Sequence, residues 1–260
     1  MINSLWIAKT GMSAQQTQLD VISHNLANVS TTGFKRNNAV FEDLIYQNLR
    51  QVGANTTEQN QLPTGLHLGL GVRTVATSRN FTQGTHQETK NNLDVAINGN
   101  GFFEVTMPDG TLGYTRDGSF QVDSQGRLVT SSGLPVANGI NVPQGATSVN
   151  ISADGAVSAI VAGSTAPQPL GTLAMSNFIN PAGLEPVGQN LFKESAASGQ
   201  PQQGTPGTNG LGFIRQGFLE ASNVNVVEEL VNMIQTQRAY EMNSKAIQTS
   251  DQMLAKLSQL

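Results

Sequence analysis

The sequence predicts an α+β protein in which long coiled-coil-like helices at the N- and C-termini pair as a stalk. A central all-β domain and an extended β-like arm lie between them in the chain. Three observations carry this. Apolar residues recur every seven positions at both ends of the chain. In the middle the apolar period shortens to two, with turn residues roughly every eight to ten positions. All 10 prolines fall between Pro63 and Pro206, so the ends and the centre differ sharply in composition. The boundaries drawn this way are 1–36 for the N-terminal stalk helix, 37–84 for the arm, 85–214 for the β-domain and 215–260 for the C-terminal stalk helix.

The C-terminal helix has the stronger pattern. Val226, Met233, Tyr240, Ile247 and Leu254 recur at seven, with Ala239, Ala246, Met253 and Leu260 one position earlier. No glycine or proline interrupts residues 218–260. Asn225 with Glu228 three residues on reads as a capping box, and Glu228-Glu229 and Lys256 suit the two ends of a helix dipole. Roughly 34 helical residues would run about 50 Å, longer than a small core can cover. Such a helix needs a partner along its length.

The N-terminus supplies one. Leu5, Met12, Leu19 and Leu26 recur at seven, with Ala8, Gln15, Ile22 and Val29 three residues after each. Gly11 within the run weakens the first turns by about 1 kcal/mol relative to alanine. Thr31-Thr32-Gly33 supplies a stop signal. The seam expected between the helices comprises Leu5, Met12, Leu19, Ile22, Leu26, Val226, Met233, Tyr240, Ile247 and Leu254. Two helices packed into an ordinary globular core is the plainer reading. The placement of both stripes at opposite termini disfavours it.

Between the helices and the β-domain, Gln47–Val72 is polar at first and then reads LPTGLHLGLGV. Leu62, Leu66, Leu68 and Leu70 alternate as in a strand, while Pro63, Gly65, Gly69 and Gly71 bar a helix. A free linker gains nothing by exposing leucines, so an extended arm lying on a neighbour is expected. Strands are expected at Leu93–Ile97, Phe102–Thr106, Leu112–Arg116, Phe120–Val122, Arg127–Thr130, Val149–Ile151, Ala156–Val161 and Leu170–Phe178. Pro108-Asp109-Gly110, Asp117-Gly118, Ser124-Gln125-Gly126 and Asp154-Gly155 read as turns, and Gly99-Asn100-Gly101 as a hairpin loop. Ser195–Gly212 reads as a linker returning to the last helix.

Composition excludes several functions. A net charge of −4 does not support a nucleic-acid footprint. The chain has no cysteine, which rules out disulfides and thiolate metal sites. His24, His67 and His86 are too scattered to form a metal site, and Asp109, Asp117 and Asp154 each precede glycine, where aspartate serves turns. No nucleophile–base pair is signalled, so neither an enzyme nor a cofactor is expected. MINSLWIAKTGM lacks the form of a cleaved signal, and no run of apolar residues is long enough to insert in a membrane.

HNLANVSTTGFKR at the N-terminus, LDVAINGNGFFEV and YTRDGSF in the centre, and VNMIQTQRAYEMNSKAIQTSDQML at the C-terminus resemble the bacterial flagellar rod and hook family, in the family's order. The family motif falls on Asn25, Leu26, Ala27, Asn28, Gly33, Phe34 and Lys35. The resemblance implies a structural subunit that polymerises with itself into a straight tube of the flagellar basal body. That tube would transmit torque, enclose the export channel, and span from periplasm to outer membrane. It further implies type III export without signal cleavage. The implied partners are proximal rod proteins, the hook protein, the surrounding periplasmic and outer-membrane rings, and a rod cap during assembly. A hook must bend and a rod must not, so Leu62, Leu66, Leu68 and Leu70 are expected to stiffen the polymer. A carbohydrate-binding β-protein, or a phage-tail or adhesin-like fibre, is the alternative that the β-rich centre leaves open.

Overall fold

The computed structural model describes residues 2–52, 55–57, 60–61, 64–163 and 166–257. Leu62, Pro63 and Leu260 lie outside the described residues. The chain divides into two compact units. One comprises Met1–Leu26, Asn37–Ser78 and Asn225–Leu260, and the other Ala27–Arg36 with Arg79–Val224. A helix stands at each terminus and the region between them is β-rich.

The first unit holds both helices, α1 (Ile2–Ala27) and α2 (Val226–Leu257). It also holds β1 (Asn37–Asp43), β2 (Tyr46–Arg50), β3 (Asn55–Thr57), β4 (Asn60–Gln61), β5 (Leu66–Gly69) and β6 (Val72–Arg79). These six strands pair in nested fashion: β1 with β6, β2 with β5, and β3 with β4. The stretch expected to run as a single extended arm is therefore a two-stranded ribbon folded back on itself. The register sets Tyr46 against Gly69, Gln47 against Leu68 and Asn48 against His67. Pairing satisfies backbone groups that an isolated strand would leave to a neighbour or to water.

The second unit holds β7 (His86–Glu88), β8 (Val95–Asn98), β9 (Phe102–Thr106), β10 (Leu112–Thr115), β11 (Gln121–Val122), β12 (Leu128–Val129), β13 (Ala146–Ile151) and β14 (Ala156–Val161). It continues with β15 (Gln168–Thr172), β16 (Met175–Asn177), β17 (Glu185–Gly188), β18 (Leu191–Lys193), β19 (Gln202–Gly204), β20 (Phe213–Gln216) and β21 (Phe218–Glu220). Its main sheet has the order β17-β18-β10-β9-β16-β19. Phe102 and Phe103 are adjacent on β9, and successive strand residues face opposite sides of a sheet. Phe103 accordingly joins Val95, Ile97, Phe120, Ile140, Leu173 and Met175 in one core, while Phe102 joins Tyr114, Phe178, Leu184 and Phe192 in another. The second core is aromatic: the Tyr114 and Phe178 rings meet edge-on at 4.8 Å between centroids.

Three local expectations are corrected here. Ser195–Gly212 is no linker: it contributes β19 to the main sheet, and Ser198 and Leu211 are buried. Leu211 fills space beside Gly101 and Gly204, which composition alone does not reveal. Leu170–Phe178 is two strands, because β15 pairs with β14 while β16 crosses to β9 and β19. Gly99-Asn100-Gly101 is not a hairpin loop. It carries the chain from β8, paired with β20, to β9 in the main sheet. The turns at Pro108-Asp109-Gly110, Ser124-Gln125-Gly126 and Asp154-Gly155 do join antiparallel neighbours, and Asp109 Oδ1 accepts from the Thr111 backbone N–H at 3.0 Å.

Burial pushes the Tyr114 phenol up to about 12, and the nearby Glu104 and Glu194 carboxylates add to the shift. An acid with a raised folded pKa contributes stability that is complete below its unfolded value and lost as pH rises through the folded one. Tyrosinate absorbance from Tyr114 should therefore appear together with loss of β-structure between pH 10 and about 12. Tyr114→Phe should move that alkaline transition upward; identical alkaline midpoints for the two proteins would contradict the assignment.

Candidate functional site

After Ala27 the chain turns, with the Thr31 N–H donating to the Asn28 carbonyl at 3.2 Å and the Thr31 hydroxyl to Asn28 Oδ1 at 3.1 Å. Gly33 follows at φ +68, and a Cβ there would stand 2.7 Å from the Arg116 carbonyl carbon. Any side chain would collide with backbone as well as resist that φ. The freed space lets the Gly33 N–H reach the Glu220 carbonyl at 2.8 Å. Two residues on, Lys35 enters the interior of the second unit with its side chain fully buried.

Lys35, Glu220 and Arg116 form a buried ion cluster. Glu220 Oε1 accepts from Lys35 Nζ at 2.6 Å and from the Gly84 N–H at 2.9 Å. Its Oε2 accepts from Arg116 Nη1 at 3.2 Å. Lys35 also donates to the Thr82 carbonyl and Arg116 Nη2 to the Gly99 carbonyl, each at 2.8 Å. Burial lowers the Lys35 pKa from its ordinary value, and attraction to Glu220 offsets part of that shift. Burial lowers Arg116 in the same way, also opposed by Glu220. The guanidinium remains a cation.

Asparagines tie the flanking backbone. Asn223 Oδ1 accepts from the Arg36 N–H at 2.7 Å, while its Nδ2 donates to the Asn80 carbonyl at 2.9 Å and the Thr82 carbonyl at 3.0 Å. The Phe34 carbonyl accepts from the Asn223 N–H at 3.4 Å. In the first unit, buried Asn25 imitates a strand partner for Asn37. It donates to the Asn37 carbonyl at 2.8 Å and accepts from its N–H at 2.9 Å. Of the motif residues, then, Asn25 and Lys35 are buried anchors, Gly33 a backbone approach, and Leu26 and Phe34 half-buried, with Ala27 exposed. Glu220, Arg116 and Asn223 were not singled out from sequence. The faint signal was a lone acid closing the strand Phe218-Leu219-Glu220.

Asn225 caps α2: its Oδ1 accepts from the Val227 N–H at 3.1 Å. The buried stripe of α2 is polar and small, with Glu229, Thr236 and Ser250 buried and Asn232, Met233, Ala239, Asn243 and Ile247 half-buried. Val226, Tyr240 and Leu254 are exposed by 39, 38 and 37 %. On α1, Ala8, Ala14 and Ile22 are buried, and Leu5, Met12, Leu19 and Leu26 half-buried. Gly11 lies within the unbroken helix and faces Asn243 of α2, so close that a Cβ would sit 3.0 Å from Nδ2. Leu66 and Leu68 of the ribbon are exposed and Leu70 half-buried.

Among the described residues, no group of acidic and histidine side chains is disposed to hold a metal ion. The buried ionic chemistry is spent on the fold, and apolar surface is left on the terminal helices and the ribbon. These are the marks of a structural protein. The chain matches three family models: Flagella basal body rod protein at residues 5–35, Flagellar hook protein FlgE/F/G D1 domain at 96–159, and Flagellar basal body rod FlgEFG protein C-terminal at 215–260. It is 59 % identical over 260 residues to the flagellar basal-body rod protein FlgG of Buchnera aphidicola subsp. Acyrthosiphon pisum, covering 100 % of both chains. Identity to the protein of that name from Buchnera aphidicola subsp. Schizaphis graminum is 58 %, again over 100 % of both. For that of Borreliella burgdorferi it is 52 %, over 98 % of this chain and 97 % of the relative. The chain belongs to the FlgG family of flagellar basal-body rod proteins. It is a structural rod subunit of the flagellar basal body and not an enzyme.

Removing one member of a buried ion group strands the rest, at about 3–5 kcal/mol. Glu220→Ala would strand two cations and the Gly84 N–H, whereas Lys35→Ala leaves Glu220 with Arg116. Urea unfolding of the second unit's β-signal should therefore show the larger loss for Glu220→Ala. Equal losses, or a loss confined to Lys35→Ala, would rule out this partition.

Proposed function

We propose that this chain polymerises with itself into the straight, tubular distal rod of the basal body. The terminal helices pair and stack as the tube's inner layers, around the export channel. The observation that carries this is the apolar surface exposed along α2, where Val227, Leu230, Val231 and Ile234 face solvent in the single chain. A monomer gains nothing by exposing them, whereas a polymer buries them. Torque passes along the tube from proximal rod proteins to the hook protein, within the surrounding periplasmic and outer-membrane rings, and a cap guides growth. The subunit reaches its place, from periplasm to outer membrane, through the type III apparatus without signal cleavage. Among the described residues no helix is long and apolar enough to cross a membrane.

The ribbon gives the tube its stiffness in this reading. Its exposed apolar residues include Ile45, Tyr46, Leu49, Leu66 and Leu68. Laid against adjacent subunits, a paired ribbon resists the sliding that curvature requires better than a single strand, because its cross-strand hydrogen bonds resist shear.

Two outcomes test these assignments. Leu19→Asp or Ile247→Asp places an unpaired charge in the helix layers, costing several kcal/mol. Polymerisation and motility should fail while the β-rich unit still gives its native circular dichroism; a normal critical concentration would remove that position from the seam. Deletion of residues 47–72 should leave polymerisation intact but yield bent or flexible filaments in electron micrographs. Filaments of unchanged persistence length would end the stiffening role.

A further inference from the structure

Four asparagines stand directly before a glycine: Asn98, Asn100, Asn138 and Asn209. Such a pair is chemically weak. The glycine's backbone nitrogen can attack the asparagine's side-chain carbonyl, and no Cβ on the glycine obstructs the approach. The reaction needs an exposed asparagine, an unengaged glycine N–H and backbone free to bring the two together. The fold grants these conditions unequally.

Asn98 is paired with Phe213 in β8, and the Gly99 N–H donates to Gln83 Oε1 at 3.2 Å. Gly101, after Asn100, is buried against Met175 and Leu211, and the Asn100 carbonyl accepts from the Gly212 N–H at 2.7 Å. At the third pair the Asn138 amide donates to the Thr172 carbonyl and the Gly139 N–H to the Val136 carbonyl, each at 3.4 Å. Asn209 differs. It and Gly210 are exposed at the centre of a turn, with φ +51 and +77, closed by the Leu211 N–H donating to the Thr208 carbonyl at 2.9 Å. Positive φ at both central residues is the primed turn that Asn-Gly favours. Among the described residues neither the Gly210 N–H nor the Asn209 amide has a hydrogen-bond partner. A Cβ at Gly210 would meet nothing within 4 Å, so the turn has open space in which to rearrange.

We propose that Asn209 is a site of spontaneous modification, and that the product loosens the β-rich unit through Leu211. The Gly210 nitrogen gives up its proton and bonds to Asn209 Cγ. The bond from Cγ to the side-chain nitrogen breaks, and that nitrogen leaves as ammonia. Water then opens the resulting cyclic imide at either carbonyl. One opening gives aspartate. The other gives isoaspartate, in which the main chain runs through the former side chain and is one methylene longer. Solvent water is the only other reactant. Leu211, two residues on, is 6 % exposed in the core and fills the space beside Gly101 and Gly204. A longer link from Thr208 to Leu211 breaks the bond that closes the turn and draws the leucine from its place. An apolar side chain withdrawn from a core leaves a cavity, which destabilises. All of these residues lie in the β-rich unit, so the inference is independent of how copies of the chain meet.

Cleavage after lysine and arginine separates the sites for measurement. Asn209 falls in the peptide 194–215, Asn138 in 128–193, and Asn98 with Asn100 in 91–116. Full-length folded protein is held in mildly alkaline buffer and sampled by peptide mass mapping. The 194–215 peptide should gain about one mass unit at least roughly tenfold faster than 91–116, whose asparagines react only when the fold opens locally. In urea that difference should vanish. Aged protein, carrying isoaspartate in 194–215, should then unfold at a lower urea concentration than fresh protein. Asn209→Gln, whose amide closes a larger ring far more slowly, should keep its midpoint through the same incubation. Folded protein that loses ammonia no faster at Asn209 than at Asn98 or Asn100 overturns the site. A midpoint unchanged after Asn209 has been converted, or one that falls equally in Asn209→Gln, overturns the role given to Leu211.

Discussion

A carboxylate cannot be taken from water without compensation, and in this protein the Glu220 side chain is fully buried. Its compensation comes from three directions: Lys35, Arg116 and the Gly84 N–H. Lys35 and Glu220 are 185 residues apart, one following the N-terminal helix and the other preceding the C-terminal helix. The β-rich unit therefore cannot complete its interior without the segment 27–36 that leads out of α1. The side-chain bonds from Asn223 to Arg36, Asn80 and Thr82 close the same region around it. Apolar packing around Phe103 and Phe102 supplies the bulk of the burial. The charge cluster decides which distant segments must be present for that packing to be complete.

The C-terminal helix departs from the usual distribution of side chains. Its inner side is mostly small or polar, with Glu229, Asn232, Thr236, Ala239, Asn243 and Ser250, while valine, leucine and isoleucine face outward on its first turns. Small residues permit close approach, as Gly11 against Asn243 does, but they remove little apolar area from water. Contact within one subunit is correspondingly modest, and the larger apolar surface remains for contacts that a single chain does not make. A protein whose working form is a polymer needs that arrangement: a subunit satisfied by its own helix pair would have no reason to add to a growing end. The exposed leucines of the ribbon follow the same logic.

Local features were legible in the amino-acid order because short-range physics sets them. The heptad spacing and absence of proline gave both helices, Asn225 marked the start of α2, and aspartate-glycine pairs marked hairpin turns. Phe102–Thr106 and Ala156–Val161 coincide with their strands because alternation and flanking turns act within a few residues. On α1 the expected column, Leu5, Met12, Leu19 and Leu26, is half-buried, whereas on α2 only Met233 and Ile247 of the expected column are. A column such as Val226, Tyr240 and Leu254 satisfies a heptad equally well facing inward or outward, and the chain's own packing chose the polar stripe beside it. Nor could composition distinguish a linker from a strand at Gln202–Gly204, where pairing with Met175–Asn177 makes the difference.

By itself, then, the sequence determined the helical ends, the β-rich middle, the turn positions and membership in a family of structural subunits, all carried by periodicity, turn chemistry or motif. Only the tertiary structure decided that the arm doubles back as a ribbon, that Leu170–Phe178 divides between two sheets, and that Lys35, Arg116 and Glu220 share one buried site. Each of these depends on residues far apart in the chain meeting in space. No local pattern encodes such a meeting, because its free energy comes from the partners together and not from either alone.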